Sequence, residues 1–279
     1  MHIDQLWRYP VKSMIGQTAD SVDLTPTGVV GDRTWAVRDE VRGGIRGAKK
    51  IGQLMQFTAR YSSRLGGDVE ITSPDGSTIT SSDPDANARL SEALDHHVTL
   101  WPLQPPTDLD HYRRGAPDTD DFMAELNGIF GREDGEPLPD LSVFPPEIME
   151  FESPPGTYLD AFPLMLMTTS ALRSLQLALP ESTIDTRRFR PSLVVDTGDL
   201  PGHPEFDWVG RSVSVGDVEL EIITGCPRCV MVTREIANDV PVDRSLLRHI
   251  VKDLGQNVGV YARARSAGSI SVGDGVVVS

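Results

Sequence analysis

Hydrophobic and polar residues alternate in short runs through residues 1–103, a pattern typical of β-strands with one buried face. Strands are predicted over 3–9, 21–24, 34–38, 54–61, 69–72, 78–80 and 98–101, with turns rich in glycine and proline between several of them. One helix is predicted through Asn87–Leu94, with Asp83 as its N-cap and Pro84 at its first position. Short strands at this spacing indicate a barrel or a sandwich.

Residues 104–158 lack a regular hydrophobic period and are rich in proline, aspartate, glutamate and glycine. Asp121–Leu126 is predicted as a helical turn within them. A segment of this length without clear structure is either mobile or covers a site. We interpret it as an acidic, proline-rich connector between two β-rich parts of the chain.

Residues 159–279 return to a regular pattern of strands and helices. A leucine-rich helix is predicted after a cap at Thr169 or Ser170, and a second helix through Leu246–Leu254 ends before Gly255, a residue suited to follow a helix. Strands are predicted over 193–195, 213–223, 258–264 and 270–278, with Gly-Asp turns inside the second and fourth of these runs. The whole chain is therefore predicted to be α+β and mostly β.

The charge balance limits the partners that this chain can bind. Its 26 basic and 41 acidic residues give a net charge of −15, which repels nucleic acid and anionic membrane surfaces. No run approaches 18 apolar residues, so no membrane span is predicted. Residues 1–5 lack the basic and apolar regions of a signal peptide, and two cysteines do not make a disulfide framework. We therefore expect a cytoplasmic protein.

Both cysteines lie in one motif, Cys226-Pro227-Arg228-Cys229, which is predicted to be a turn between a strand over 217–223 and a strand over 230–233. Four interpretations compete for it. Disulfide exchange would need a helix after the first cysteine, and structural zinc would need two further ligands. Two buried hydrophobic thiols are a third possibility, although the arginine between them argues against a plain core. A thiolate that binds a soft metal or carries sulfur, with Arg228 holding an anion, is the fourth.

Several separated segments resemble one family, the MOSC (molybdenum cofactor sulfurase C-terminal) proteins, and among them the amidoxime-reducing component type. The matching segments, in chain order, are Tyr9–Ser13, Gly31–Trp35, Asp160–Pro163 with Thr169 and Ser170, Phe189–Ser192, Cys226–Cys229, and Gly259–Tyr261 through Val272–Asp274. Each is weak alone, but six in the correct order are specific. The resemblance implies a β-barrel-like MOSC N-terminal domain over 1–103, the connector over 104–158 and a β-barrel MOSC domain with a few helices over 159–279.

The resemblance also implies a molybdenum–molybdopterin cofactor with Cys229 as the protein ligand of the metal. The implied cofactor-binding residues are Lys12, Ser13, Arg33, Asp160, Ala161, Phe162, Arg190, Ser192, Pro227, Arg228 and Cys229. Basic side chains with a hydroxyl partner suit the cofactor phosphate, and a thiolate suits the soft metal. The sequence departs from the family at Ser192, where asparagine is usual. Because serine has the shorter side chain, its contact with the cofactor would be absent or pass through water.

Alternative roles exist for three of the basic residues. Lys12 could be a solvated turn lysine, Arg33 could form a local salt bridge with Asp32, and Arg190 could bind backbone carbonyls. The sequence by itself does not choose between these roles and cofactor binding.

The expected activity is the reduction of small N-hydroxylated (N–O) substrates by a molybdenum-dependent oxidoreductase in which Cys229 is also the catalytic residue. An iron–sulfur cluster needs about four cysteines, so electrons would come from a separate electron-donor protein. Two alternatives remain: a sulfur carrier that uses a cysteine persulfide, and a module that binds the molybdenum cofactor without turnover.

Overall fold

The structure is a computed structural model that describes residues 1–279. Its strands are β1 (His2–Arg8), β2 (Gln17–Ala19), β3 (Ser21–Thr25), β4 (Gly28–Val29), β5 (Trp35–Asp39), β6 (Thr58–Tyr61), β7 (Val69–Thr72), β8 (Thr78–Thr80), β9 (Val98–Pro102), β10 (Leu164–Thr168), β11 (Leu193–Asp196), β12 (Ser212–Val215), β13 (Val218–Pro227), β14 (Asn257–Ala264), β15 (Gly268–Ser271) and β16 (Val276–Val278). The α-helices are α1 (Ala86–Leu94), α2 (Leu109–Tyr112), α3 (Phe122–Phe130), α4 (Thr169–Ala178), α5 (Thr186–Phe189) and α6 (Arg244–Asp253). The prediction of a mostly β, α+β chain is confirmed.

The largest sheet has eight strands in the order β16-β12-β13-β14-β10-β11-β1-β2. All its pairs are antiparallel except β10 with β11. Its last two strands come from the start of the chain, and β3 likewise pairs with β15 near the end of the chain. The predicted units 1–103 and 159–279 therefore share sheets, and the boundaries at 103/104 and 158/159 stay a prediction about sequence units.

Three large apolar cores and one cluster of five residues hold these layers together. One lies among β5 to β9, α1 and the segment around Met231 and Ile236, and the second lies between the large sheet and the β15-β3-β4 sheet. The third packs α4 and α6 on the other face of the large sheet. In α6 the buried Leu246, Leu247, Ile250 and Val251 fall on one face of the helix, as the predicted 3.6-residue period requires. None of the helices is both long and apolar enough to cross a membrane.

Three local predictions were wrong. Residues 230–233 form a 3₁₀ helix (Val230–Thr233) and not a strand, because Met231 packs into the first core while Val232 packs into the third. The turn between two cores overrides the β propensity of valine. The segment 54–61 is a strand only over β6, since Gly52–Gln56 is a 3₁₀ helix.

The third error concerns the start of α1. That helix begins after Asp85, not after Asp83, because the Asp83 carboxylate accepts a hydrogen bond from the Thr80 N–H at 3.0 Å and so belongs to the preceding turn. The predicted cap of α4 is also displaced by one residue, since Thr168 Oγ1 accepts from the Ala171 N–H. Both shifts are within the one or two residues by which helix boundaries commonly differ.

The connector has more regular structure than the sequence pattern indicates. It contains α2, α3 and two 3₁₀ turns (Leu141–Val143 and Pro146–Met149). The helical turn predicted at Asp121–Leu126 is the first half of α3, and the Asp121 carboxylate caps it by accepting from the N–H groups of Met123 and Ala124.

Candidate functional site

A cavity of about 440 Å³ lies where the turn after β1, the connector and the ends of β10, β13 and β14 meet. Every residue proposed from the sequence as a site residue lines it: Lys12, Ser13, Arg33, Asp160, Ala161, Phe162, Arg190, Ser192, Pro227, Arg228 and Cys229. They come from five separate stretches of the chain. The fold therefore brings together residues that are up to 217 positions apart in the sequence.

Lys12 is buried on one side of the cavity, with only 3% of its side chain exposed. Its Nζ donates to Asp160 Oδ1 at 2.7 Å, to the Tyr158 carbonyl at 2.9 Å and to Ser153 Oγ at 3.2 Å. Burial lowers the pKa of Lys12, and Asp160 partly offsets that effect. The solvated-lysine alternative is therefore wrong, since this ammonium group is enclosed and held in one position.

Asp160 joins two lysines at the cavity. Its Oδ1 lies 3.6 Å from Lys49 Nζ in addition to the Lys12 contact, while 44% of its side chain is exposed. Burial by itself would raise the pKa of Asp160, but the positive charges of Lys12 and Lys49 hold that pKa well below its usual range. Asp160 is therefore a carboxylate at any physiological pH, and it neutralises only one of the two positive charges beside it.

Two guanidinium groups lie against the ring of Tyr9. Arg33 Cζ is 5.3 Å and Arg190 Cζ is 4.2 Å from the ring centroid. Arg33 also forms a salt bridge with Asp32, so the local-pair alternative for that residue holds, although Arg33 still lines the cavity. Burial of Tyr9 between these groups raises the pKa of its hydroxyl, which donates to the Pro191 carbonyl at 2.9 Å. Tyr9 therefore acts as a neutral spacer between two cations.

Arg190 has one guanidinium nitrogen available for a ligand. Its Nη1 donates to the Met14 carbonyl, as the backbone-binding alternative requires, whereas its Nη2 is buried and has no partner. Burial, and then the like charge of Arg33, lowers the pKa of Arg190 to about 10. A buried N–H without a partner costs about 1–3 kcal/mol, so this group favours an acceptor entering the cavity.

The two cysteines have different surroundings. Cys226 lies at the end of β13 with 2% exposure, and its Sγ accepts from Arg228 Nη1 at 2.7 Å. Arg228 Nη2 donates to the Phe189 carbonyl at 2.6 Å, while its Nε is buried without a partner. Cys229 is only partly buried and lines the cavity. Cys229 is therefore the more accessible thiol, and Cys226 is occupied in holding Arg228.

Positive side chains surround Cys229. Lys49, Arg132, Arg228 and Arg234 are all close enough to interact electrostatically with it. Arg132 also donates to the Arg228 carbonyl and fixes the backbone just before Cys229. Two of these cations, Lys49 and Arg228, line the cavity together with Cys229. The first cysteine lies on a strand and the second precedes a four-residue 3₁₀ helix, so the helix expected for a disulfide-exchange motif is absent.

Ser13 and Ser192 are buried, and each hydroxyl already has a backbone contact. Ser13 Oγ accepts from the Ala48 N–H at 2.9 Å, and Ser192 Oγ accepts from the Met165 N–H at 3.4 Å. Their hydroxyl hydrogens remain free to bond to an acceptor in the cavity. Ala161, Phe162 and Pro227 contribute apolar surface to the lining.

The lining is cationic although the protein is acidic. Nine lysine and arginine side chains line the cavity against three carboxylates, Glu125, Glu152 and Asp160, whereas the whole chain carries a net charge of −15. No group of three or more histidine, cysteine, aspartate or glutamate side chains is arranged to hold a metal ion. A metal at Cys229 would therefore need further ligands from another molecule.

Sequence reasoning missed several lining residues. Lys49 is the clearest, and the signal was a pair of adjacent lysines in a chain that has only four. Tyr261 is another: burial, and then the neighbouring Cys226, raises the pKa of its hydroxyl. The apolar residues of the connector were also missed, because no period in that segment shows which side chains face a cavity.

Two family models match this chain. The model of the MOSC N-terminal beta barrel domain matches residues 1–104, and the model of the MOSC domain matches residues 154–277. The segment between the two matches coincides with most of the connector.

Similar curated proteins are named as amidoxime-reducing components. The human mitochondrial amidoxime-reducing component 1 is 26% identical over 260 residues, which cover 83% of this chain and 65% of that protein. The bovine mitochondrial amidoxime reducing component 2 is 24% identical over 299 residues, which cover 98% of this chain and 82% of that protein. This chain thus spans just under two thirds of the length of the human relative.

Solved structures align only weakly. The YUAD protein from Bacillus subtilis covers 99% of this chain and 94% of its own, at 11% identity and a TM-score of 0.46. YiiM from Geobacillus stearothermophilus covers 42% of this chain and 54% of its own, at 13% identity and a TM-score of 0.31. Both TM-scores are below 0.5, so the fold assignment rests on the elements of this chain and on the family models.

Proposed function

Because this chain is a MOSC-domain protein with its own MOSC N-terminal domain, we propose that it is a molybdenum-cofactor oxidoreductase that reduces small N-hydroxylated substrates. The observation that carries the proposal is a cationic cavity in an acidic protein with one accessible thiol, Cys229, on its wall. The names of the similar proteins, which are amidoxime-reducing components, support this class of reaction.

The residues present fit an anionic, sulfur-rich cofactor. Arg190 Nη2 and Arg228 Nε are buried donors without partners, and both belong to residues that line the cavity. A phosphate needs several such donors, and arginine and lysine supply them with charge. Lys12, Arg33, Arg190 and Arg228 would hold the phosphate-bearing part of the group, with Ser13 and Ser192 as hydroxyl donors.

Cys229 would be the protein ligand of the metal, and Cys226 would not. Thiolate is a preferred ligand of soft metal centres. Cys226 Sγ is buried and engaged by Arg228, so its role is to position that guanidinium group. When bound, the molybdenum group would supply the redox chemistry, in which two electrons and two protons convert the N–OH group to N–H and the oxygen leaves as water.

The chain's own residues would bind, orient and shield. Lys49 and Arg228, the two cations near Cys229 that line the cavity, would stabilise negative charge at the reacting end of the substrate, because they are in place before the substrate enters. Asp160 keeps Lys12 and Lys49 in place and limits the excess of positive charge. The connector would contribute apolar residues that line the cavity and limit the access of water to it.

We propose that a separate electron-donor protein supplies the electrons, since residues 1–279 contain only two cysteines and an iron–sulfur cluster needs about four. We expect this acidic chain to bind neither nucleic acid nor membranes. We expect it to be located in the cytoplasm, whereas the relatives described above are named as mitochondrial proteins.

The test is reduction of an amidoxime by protein purified from a host that makes the molybdenum cofactor. A small-molecule reductant supplies the electrons, and chromatography measures the conversion of benzamidoxime to benzamidine. This conversion should depend on Cys229 and be lost in Cys229→Ala. The Cys226→Ala variant should retain part of the activity, since it only loosens Arg228. Full activity in Cys229→Ala would overturn the assignment.

Two outcomes would favour the alternatives. A persulfide on Cys229, found by mass spectrometry in protein that lacks molybdenum, would favour sulfur transfer. Stoichiometric cofactor without reduction of any N–O compound, across several electron donors, would favour a binding module.

A further inference from the structure

Different parts of the chain supply the cationic and the apolar side chains of the cavity lining. Eight of its nine cationic side chains lie outside the connector, and the connector contributes mainly apolar surface. Leu126, Ile129 and Phe130 come from α3, and Leu141 and Phe144 follow in the next turn. We refer to these eight cations as the cationic floor and to the apolar lining residues of the connector as the apolar wall.

Helix α3 is apolar yet has no buried residue. Its sequence is FMAELNGIF, and all nine side chains are partly or fully exposed. An apolar helix normally buries one face in a core. Part of its surface faces the cavity instead, so a ligand in the cavity would cover apolar area that the protein leaves open.

Ion pairs at one end of α3 and hydrogen bonds at the other hold the helix in this position. At the first end, Lys50 Nζ lies 2.8 Å from Asp118 Oδ2 and 2.5 Å from Glu125 Oε1. At the other end, Arg132 donates to Gln256 Oε1 at 2.8 Å and to the Arg228 carbonyl at 3.3 Å. The wall is thus fixed to both β-rich parts of the chain and to the backbone beside Cys229.

The carboxylates of the lining are all engaged. Glu125 pairs with Lys50, Glu152 pairs with Arg114, and Asp160 pairs with Lys12 and Lys49. No carboxylate is left to bind a cationic substituent, and the cationic floor would repel one. A charged group placed against the apolar wall would also lose its hydration without compensation.

Aromatic side chains complete the wall. The rings of Phe162 and Tyr261 are 4.8 Å apart between centroids, and Phe144 lies 6.2 Å and 6.5 Å from them. Such a cluster offers ring faces and edges to another flat apolar group. The wall therefore fits an aromatic body better than a small polar one.

We propose that α3 and the turn that carries Phe144 form the substrate-binding wall, and that it selects N-hydroxylated compounds with an uncharged aromatic or branched aliphatic body. The inference rests on the proposed function for the N–O group. Leu126 and Ile129 are the specificity-determining residues, since they lie on α3, line the cavity and belong to no core.

The first test measures binding without turnover. Cofactor-free full-length protein, with saturating inorganic phosphate to occupy the cationic floor, is titrated by calorimetry with benzamidoxime, acetamidoxime and a benzamidoxime that carries a quaternary ammonium group. We expect benzamidoxime to bind most tightly. Leu126→Ser and Ile129→Ser should each weaken it about tenfold, the scale of one lost apolar contact in a binding pocket. Leu177→Ser is the matched control, because that helical leucine is 83% exposed and outside the cavity.

The second test uses the cofactor-loaded enzyme. The ratio of kcat/KM for benzamidoxime to that for acetamidoxime should fall about tenfold in Leu126→Ser, mainly through KM. The milder Ile129→Ala serves if a serine variant does not fold. If all α3 variants bound benzamidoxime as tightly as the wild type and kept the same ratio of kcat/KM values, the assignment of α3 as a substrate-binding wall would be overturned. If the enzyme reduces no N–O compound while α3 variants still lose benzamidoxime binding, the wall stands and the proposed function fails.

Discussion

Three residues of the cavity are held in an uncommon backbone conformation. Ser13, Arg33 and Arg190 have φ values of 69°, 48° and 55°, and they are half of the six non-glycine residues with positive φ. A side chain with a Cβ pays about 1–2 kcal/mol to occupy this region. Strain of this kind gathers where surrounding structure fixes a functional group, which agrees with a preformed anion site.

The ion pair of Lys12 and Asp160 predicts how the stability of the protein depends on pH. Asp160→Asn should lower the free energy of unfolding at neutral pH by about 1 kcal/mol, a modest value because solvent screens the half-exposed carboxylate. The pKa of Asp160 is depressed in the folded state, so its contribution is complete above its ordinary pKa of 3.8 and fades as the pH falls below it.

The measurement is urea unfolding of both proteins between neutral pH and strongly acidic pH. The two unfolding free energies should differ at neutral pH and converge in acid. Because asparagine has nearly the same shape as aspartate, this variant removes the charge and leaves the packing unchanged. A difference that grows as the pH falls would contradict this account of the pair.

For single residues of the site, the sequence indicated which residue types are present but not which groups they contact. The CxxC motif and its arginine were visible, yet nothing in the spacing told which sulfur accepts from Arg228. The pairing of Arg33 with Asp32 was predictable as an alternative because the two are neighbours in the chain. Lys12 with Asp160 was not, because 148 positions separate them.

Element β14 shows how packing fixes one wall of the site. Gly259 has a φ of 72°, and a Cβ built on it would lie 2.7 Å from the Leu166 carbonyl oxygen and 2.3 Å from Met165 Cε. Met165 is itself a lining residue of the cavity. The close approach of β14 and β10 therefore requires glycine at this position.

Gly259→Ala should destabilise the protein by more than about 2 kcal/mol, since it adds a backbone clash to the strain of positive φ. Gly255→Ala is the control, because Gly255 also has positive φ, at 55°, but has open space around its Cβ position. Strain alone should cost about 1 kcal/mol there. Equal unfolding midpoints for the two variants would show that the clash is relieved by movement of β10.

Most strands were predictable from alternation, and the failures lie where an element serves two cores. The 3₁₀ helix at Val230–Thr233 turns between the first and third cores, and no local pattern records that turn. The structure of the connector was not predicted for a related reason. No residue of α3 is buried, so its apolar residues do not follow the period of a helix that faces a core. Segments of both kinds lie beside Cys229.

The whole molecule is interleaved, because strands from both ends of the chain share sheets. β1 pairs with β11, and β3 pairs with β15. Full-length protein should therefore unfold in one transition, with circular dichroism and intrinsic tryptophan fluorescence giving the same midpoint. A fragment of residues 1–103 should lack the dispersed amide resonances of a folded domain. Two separate transitions, or a folded fragment, would show that the predicted units are independent.

The negative charge of the molecule is concentrated on the connector. Residues 104–158 contain 13 acidic and three basic residues, which account for a net −10 of the −15 total. This is the segment that borders the cavity, so an electron-donor protein that approaches here should be basic.

We expect electron transfer from a basic donor protein to slow several-fold as ionic strength rises from about 0.01 to 0.15 M, since salt screens the steering charge over this range. Stopped-flow kinetics would measure the rate, with a small uncharged reductant as the control that should show no such dependence. A faster rate with an acidic donor than with a basic one would rule out steering by the connector.

The central claim is that Cys229 holds a molybdenum–pterin group in the cationic cavity. The most direct measurement is molybdenum and pterin content per chain, by elemental analysis and fluorescence, for wild type, Cys229→Ala and Cys226→Ala expressed in a host that makes the cofactor. We predict near-stoichiometric molybdenum in wild type and in Cys226→Ala, and a loss of more than about tenfold in Cys229→Ala. Folded wild-type protein that carries neither molybdenum nor pterin, or equal molybdenum in Cys229→Ala, would contradict the claim.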